Sequence, residues 1–194
     1  EALLNSLELK PADIDCFAVA AGPGSFTGVR IGTATIKAMA HAAGKPCAAV
    51  STLEALANNV PYFDGIICPI LDARRNQVYT AEFLGDGTLT RVCEDKAVSL
   101  ESLLDELKNL KKKVLFLGDG VLVYREEILE YLGDNAKFAK GNNNLNMAGS
   151  VAELGYEAAL SGDTISYAEL APNYIRLSQA ERERLERKTE TKEI

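Results

Sequence analysis

Ala18-Val19-Ala20-Ala21-Gly22-Pro23-Gly24-Ser25-Phe26-Thr27-Gly28-Val29-Arg30-Ile31-Gly32 decides how this chain is read. It runs from an apolar segment through a glycine turn into a stretch dense in small residues. Glycine at such a junction lets the backbone come close to another backbone, or to a ligand, where a β-carbon would clash. Working outward, Ile14 to Ala21 reads as a strand whose continuous apolar run implies burial on both faces. A helix follows from about Ser25 to Ala43, stopped by Gly44-Lys45-Pro46 in the usual glycine-then-proline order. Cys47 to Val50 is a second short strand, and Ser51 caps a helix to about Asn59 with Glu54 completing a capping box. Strand, helix, strand, helix is the signature of an α/β layer.

Pro61-Tyr62-Phe63-Asp64-Gly65 reads as a boundary, dividing an N-terminal lobe (1–62) from a C-terminal lobe (63–194). Beyond it the pattern predicts strands over Ile66 to Leu71, Gln77 to Leu84 and Leu89 to Glu94. Asp72-Ala73-Arg74-Arg75-Asn76 and Gly85-Asp86-Gly87 form the turns between them. A helix over Leu100 to Leu110 precedes a strand at Val114 to Leu117, with further helices near Arg125 to Leu132 and Met147 to Leu160. The tail from about 177 reads as a charged helix or frayed end that packs back on the first lobe.

With 194 residues, 47% apolar and 25% charged, the chain carries enough apolar mass for a sizeable core. A net charge of −7 argues against unaided nucleic-acid binding, which needs a concentrated basic surface. No run approaches the roughly 20 apolar residues of a membrane span, and no signal-peptide pattern is present, so a cytoplasmic protein is expected. Cys16, Cys47, Cys68 and Cys93 are widely spaced, without metal-ligand spacing, and are expected to behave as small buried hydrophobes. The opening Glu1-Ala2-Leu3-Leu4-Asn5-Ser6-Leu7 reads as the last turns of an amphipathic helix, and an earlier segment is expected before it.

The glycine turn fails three motif tests. A Walker loop lacks its lysine and hydroxyl after Gly28, the Gly22/Gly24/Gly28 spacing is one residue too long for a dinucleotide fingerprint, and Ser25 is not flanked as in a nucleophile elbow. Two readings remain open: Ser25 or Thr27 merely caps the helix, or the amides at its start form an anion or partner site. The helix itself is slim. Arg30, Lys37 and His41 share one stripe, Val29, Ile36 and Met39 a neighbouring one, and Ile31, Thr35, Ala38 and Ala42 the opposite face. One face is expected on the chain's own sheet and another against a second helix layer. His41 is the single histidine, and Asp72, Arg74 and Arg75 at a tight turn offer an acid and two anion clamps; Asp119 between glycines is first a turn former.

The Gly22–Gly32 motif, Ser51-Thr52-Leu53-Glu54-Ala55-Leu56-Ala57, Asp72-Ala73-Arg74-Arg75 with Val78-Tyr79, and Pro172-Asn173-Tyr174-Ile175-Arg176 together resemble the TsaB (YeaZ) family of bacterial tRNA threonylcarbamoyladenosine biosynthesis proteins. The resemblance implies an actin-like, ribonuclease-H-like ATPase fold (α/β) in two lobes, with the first lobe's N-terminal strands absent from this sequence. It implies a non-catalytic partner of TsaD, the subunit that transfers threonylcarbamoyl to adenosine 37 of ANN-decoding tRNAs, with TsaE in a larger assembly. The paralogous TsaD holds a metal through two histidines that fall at Thr52 and Leu56 here, which cannot ligate in that way.

The resemblance also implies a helical bundle with TsaD, or a homodimer in its absence, carried here onto Leu3, Leu4, Leu7, Val29, Arg30, Thr33, Ile36, Lys37 and Ala40. Gly22, Gly24, Ser25, Phe26 and Thr27 are the candidate nucleotide or anion contacts. No cofactor of its own is expected, with ATP or ADP at the interface of the complex. Two alternatives stand beside this: a peptidase-like or phosphotransferase enzyme using Ser25 or an ATP site, and a nucleotide-sensing module.

Overall fold

The computed structural model describes residues 2–176. A short helix α1 (Ala2–Ser6) leads to strand β1 (Phe17–Gly22), helix α2 (Phe26–Ala43), strand β2 (Cys47–Ser51) and helix α3 (Thr52–Ala57). The caps fall where the sequence put them. Ser25 Oγ accepts from Gly28 N at the start of α2, and Gly44 closes that helix in the left-handed conformation at φ 65°. Ser51 Oγ accepts from Glu54 N (3.2 Å) at the start of α3. The reciprocal half of the expected capping box is missing, because the Glu54 carboxylate instead receives Arg91 Nη2 at 2.6 Å.

β1 and β2 pair in parallel, Phe17 opposite Cys47 and Ala20 opposite Val50. Side chains of β1 alternate between two covers, as the period of a strand requires. Phe17 and Val19 face α2 and share a cluster with Ala40, Cys47 and Leu170. Ala18 faces a helix from the far end of the chain, α6 (Ala148–Ser161), whose Gly155 lies so close that a β-carbon there would overlap the Ala18 Cβ.

The second sheet is built on β3 (Tyr62–Asp72), which starts four residues earlier than its apolar run suggested. β4 (Gln77–Thr80) and β5 (Phe83–Asp86) lie antiparallel along one side of it. The sequence predicts one strand here, and the register supports a single track: Ile67 faces Phe83 and Ile70 faces Thr80. The ladder breaks between them because Pro69 has no N–H. A residue's N–H and C=O project to the same side of a strand, and on that side the Thr80 hydroxyl takes up the Pro69 carbonyl at 2.9 Å. β6 (Leu89–Arg91) pairs with β5, and β7 (Lys96–Ser99), which the sequence did not reveal, pairs with β4. After α4 (Leu100–Leu110), β8 (Val114–Leu117) lies parallel to β3 on its other side. α5 (Gly120–Leu132) begins five residues before its expected start, and a second unforeseen strand, β9 (Ala136–Phe138), ends the sheet beside β8.

β3 sorts its side chains between two clusters. Ile66, Cys68 and Ile70 pack with Leu103, Leu104 and Leu107 of α4 and Ile128 of α5. Ile67 and Leu71 pack on the other face with Leu53 and Leu56 of α3, Phe83 and Leu117. Helix α3 therefore stands between the two sheets.

The expected division at residue 62 separates the sheets but not the packing, since α6 lies on β1 and β2. Ile165 exchanges backbone hydrogen bonds with Cys47 (2.8 and 2.9 Å), and Asn173 N donates to Ala21 O at 2.7 Å. A return to the first sheet begins with α6 at Ala148; the expected packing of the tail from about 177 lies outside the described residues. Among the described residues no helix is long and apolar enough to cross a membrane.

Candidate functional site

The glycine turn packs against its own chain. Gly22 sits at φ 128°, and a β-carbon there would meet the Asn173 carbonyl oxygen at 2.5 Å. Its small size thus serves the passage of the C-terminal segment, and of the five candidate anion contacts Gly22 is the one left away from the adjoining cleft. The other four, Gly24, Ser25, Phe26 and Thr27, line a cleft of about 680 Å³ together with Asp72, Arg74, Arg75, Asp119 and Arg176. The start of α2 and the β3–β4 turn, read as separate candidates about fifty residues apart, are the two walls of one space.

Both acids of that cleft are committed to local donors. Asp72 Oδ1 accepts from Arg74 N (2.8 Å) and from the Tyr124 hydroxyl (3.0 Å), while Asp119 Oδ1 accepts from Asp72 N (3.0 Å). Burial and the bond to the Asp72 carboxylate push the Tyr124 phenol up to about 12. Arg74, Arg75 and Asn76 follow at φ 62°, 55° and 58°, three successive left-handed residues without a glycine among them. Each carries a steric cost of about 1–2 kcal/mol, least at the asparagine. The turn is held from below by Arg176 Nη1, which donates to Ala73 O at 2.9 Å.

Asn173–Arg176 crosses from one wall to the other. Tyr174 stacks on Phe26 with ring centroids 5.2 Å apart, and Arg30 Nε donates to its hydroxyl at 2.7 Å while the guanidinium lies over both rings. The sequence singled out this segment but gave no sign of its role as a brace. It also missed a second polar junction: Ser51 Oγ donates to Asp95 Oδ2 (2.6 Å), and Arg91 bridges Asp95 (2.7 Å) and Glu54. Serine as an α3 cap was legible; its tie to a residue 44 positions away was not.

The helix face assigned to a partner needs correction. Thr33 and Ala40 are buried against the chain's own first sheet. Val29 and Ile36 are half-buried, and Lys37 Nζ donates to the carbonyls of Ala168 (3.3 Å) and Leu170 (2.9 Å). The physical reason is that α2 turns its Ile36–Met39–Ala40–Ala43 side to Phe17, Val19 and Leu170. What it exposes is the opposite face: Gly28, Ile31, Ala34, Thr35, Ala38 and Ala42, with Ile31 63% exposed. On α1 and just beyond, Leu3 and Leu7 are exposed and Leu4 is half-buried.

His41 lies beside Tyr167, ring centroids 4.4 Å apart. Among the described residues no three histidines, cysteines or carboxylates are grouped to hold a metal. Cys47 and Cys68 are buried, and desolvation pushes the Cys68 thiol up to about 12. Cys16 and Cys93 are only half-buried, a departure from the expected burial.

The chain matches, over residues 1–184, the family model described as "TsaD: tRNA N6-adenosine threonylcarbamoyltransferase". An uncharacterized protein with similarity to peptidase YEAZ from Pseudomonas aeruginosa has the same fold, with a TM-score of 0.77, 25% identity and coverage of 90% of this chain and 80% of that one. YeaZ from Pseudomonas aeruginosa follows at a TM-score of 0.71 and 21% identity, covering 89% and 80%. These matches define an α/β protein of the TsaD-type group. The tRNA threonylcarbamoyladenosine biosynthesis protein TsaB of Bacillus subtilis (strain 168) is 39% identical over 92% of this chain and 77% of its own length. The protein of that name from Buchnera aphidicola subsp. Schizaphis graminum (strain Sg) is 30% identical over 66% and 64%. Within the group, the chain belongs to the TsaB (YeaZ) family.

Proposed function

We propose that this chain is a non-catalytic scaffold subunit of tRNA threonylcarbamoyladenosine biosynthesis that docks TsaD through the outer face of α2. The name its relatives carry supports the pathway. The observation that carries the docking is the exposed strip Gly28–Ile31–Ala34–Thr35–Ala38–Ala42 along an 18-residue helix. At 1.5 Å rise per residue that helix is about 27 Å long. Small side chains let a second helix approach closely, and the isoleucine supplies an apolar anchor for the centre of the patch.

The scaffold role has two further supports. Leu56, where the paralogue's second histidine falls, is fully buried in the α3 cluster, and Thr52 is buried beside it. The carboxylates of the cleft are occupied by backbone and tyrosine donors. In this reading the chain carries no cofactor of its own, and TsaE joins the assembly that TsaD completes.

Co-purification with TsaD followed by a tRNA modification assay tests the reading. The wild-type chain yields a heterodimer, and modification is lost when either subunit is left out. Ile31→Glu or Ala38→Arg abolishes the heterodimer by placing a charge in a packed seam. Turnover by the isolated chain, lost on Ser25→Ala, would overturn the reading in favour of an enzyme.

A further inference from the structure

The function just given leaves the tip of the β3–β4 turn unused. Arg74 and Arg75 are exposed there, and among the described residues neither side chain has a hydrogen bond or an ion pair. The two acids of the cleft form no ion pair with them: Asp72 and Asp119 accept from Tyr124 and from backbone N–H groups. The turn also holds both arginines in the left-handed region, where asparagine or glycine would fit at lower cost. Two guanidiniums without a partner among the described residues thus project from a braced turn beside a cleft whose opposite wall is the positive end of α2.

We propose that Arg74 and Arg75 contact the phosphodiester backbone of the tRNA handled by the assembly. This rests on the scaffold reading above, because a chain of net charge −7 does not hold RNA unaided. The arrangement favours a polynucleotide backbone over the phosphate chain of a free nucleotide. The guanidiniums are exposed at the tip of the turn, and the phosphates of a nucleotide entering the cleft beside them would meet the carboxylates of Asp72 and Asp119 that line it. Arginine suits the task because its planar fork matches phosphate oxygens, and Arg176, bonded to Ala73 O, fixes the base of the turn.

The test uses the TsaD complex of the full chain, with tRNA binding measured across a salt series. Arg74→Asn/Arg75→Asn removes both charges while leaving residues that accept the left-handed backbone, so the turn persists. The variant complex assembles as wild type, binds tRNA at least about tenfold more weakly, and loses about 1 in the log–log salt slope per arginine. Arg74→Lys/Arg75→Lys retains the slope. An intact complex with unchanged tRNA affinity overturns the proposal and leaves the scaffold reading standing, whereas failure of the wild-type chain to bind TsaD overturns that reading itself. Loss of ATP binding with tRNA binding intact assigns the arginines to a nucleotide and overturns the proposal, as does loss of the heterodimer in the double variant.

Discussion

Gly155→Ala is a sharp test of how α6 meets the first sheet. The new β-carbon would lie well under the 3.0 Å that such atoms avoid, against the Cβ of Ala18, an atom with no rotamer to yield. Carbon atoms settle at roughly 3.5–4.0 Å, so helix or strand must withdraw by an ångström or more. Overpacking of this kind costs about 1–3 kcal/mol, and a contact between two rigid elements belongs at the upper end. Alanine in place of glycine returns up to about 1 kcal/mol of helix propensity. The net loss is about 2 kcal/mol, a fall of about 4–8 °C in Tm for a chain of this size. Gly149 lies in the same helix with nothing within 4 Å of its would-be Cβ, so Gly149→Ala is neutral or slightly stabilising. Urea denaturation of both variants, together with Ala18→Gly/Gly155→Ala, reads the difference, and the double variant recovers part of the loss. If Gly155→Ala matched Gly149→Ala, the close packing argued for α6 on β1 would be wrong.

Ser51→Ala removes both the α3 cap and the donor to Asp95, and chemical denaturation should show a loss of about 1–2 kcal/mol. Thr33→Glu and Ala40→Arg place charge in the chain's own core and should lower Tm sharply, whereas Ile31→Glu and Ala38→Arg should leave Tm close to wild type while abolishing TsaD binding. Tyr124 titrates near 12 when folded against about 10 when unfolded. The unfolded chain then loses this proton first as the pH rises, so stability falls between pH 10 and 12. Tyr124→Phe should flatten that part of a stability–pH profile.

What the sequence disclosed follows from how local each signal is. The α2 boundaries were readable because Ser25 and Gly44 act within one turn of the helix they end. The strand Val114–Leu117 and helix Leu100–Leu110 carried complete apolar patterns. β7 was hidden because Lys96-Ala97-Val98-Ser99 has neither length nor alternation and becomes a strand only by pairing with β4. The direction α2 faces was misread for a related reason: a helix of alanines and glycines has no strong apolar side, so the choice lay with Phe17 and Val19 on a strand the periodicity of α2 does not encode. The cleft shows both cases at once. Its two walls were each visible as a turn, yet only the tertiary arrangement could set Ser25 opposite Arg74 or bring Tyr174 onto Phe26.

The return of residues 148–176 onto β1 and β2 fixes an order of assembly during synthesis. Residues 62–138 hold a contiguous sheet with its own helices, and that unit can close soon after it leaves the ribosome. The first sixty residues wait longer, since Ile165, Leu170 and Asn173, which join their sheet, are made more than a hundred positions later. Until then the face of β1 and β2 that α6 covers stands open, so a nascent chain that stalls before residue 148 offers chaperones a sheet covered on one side only.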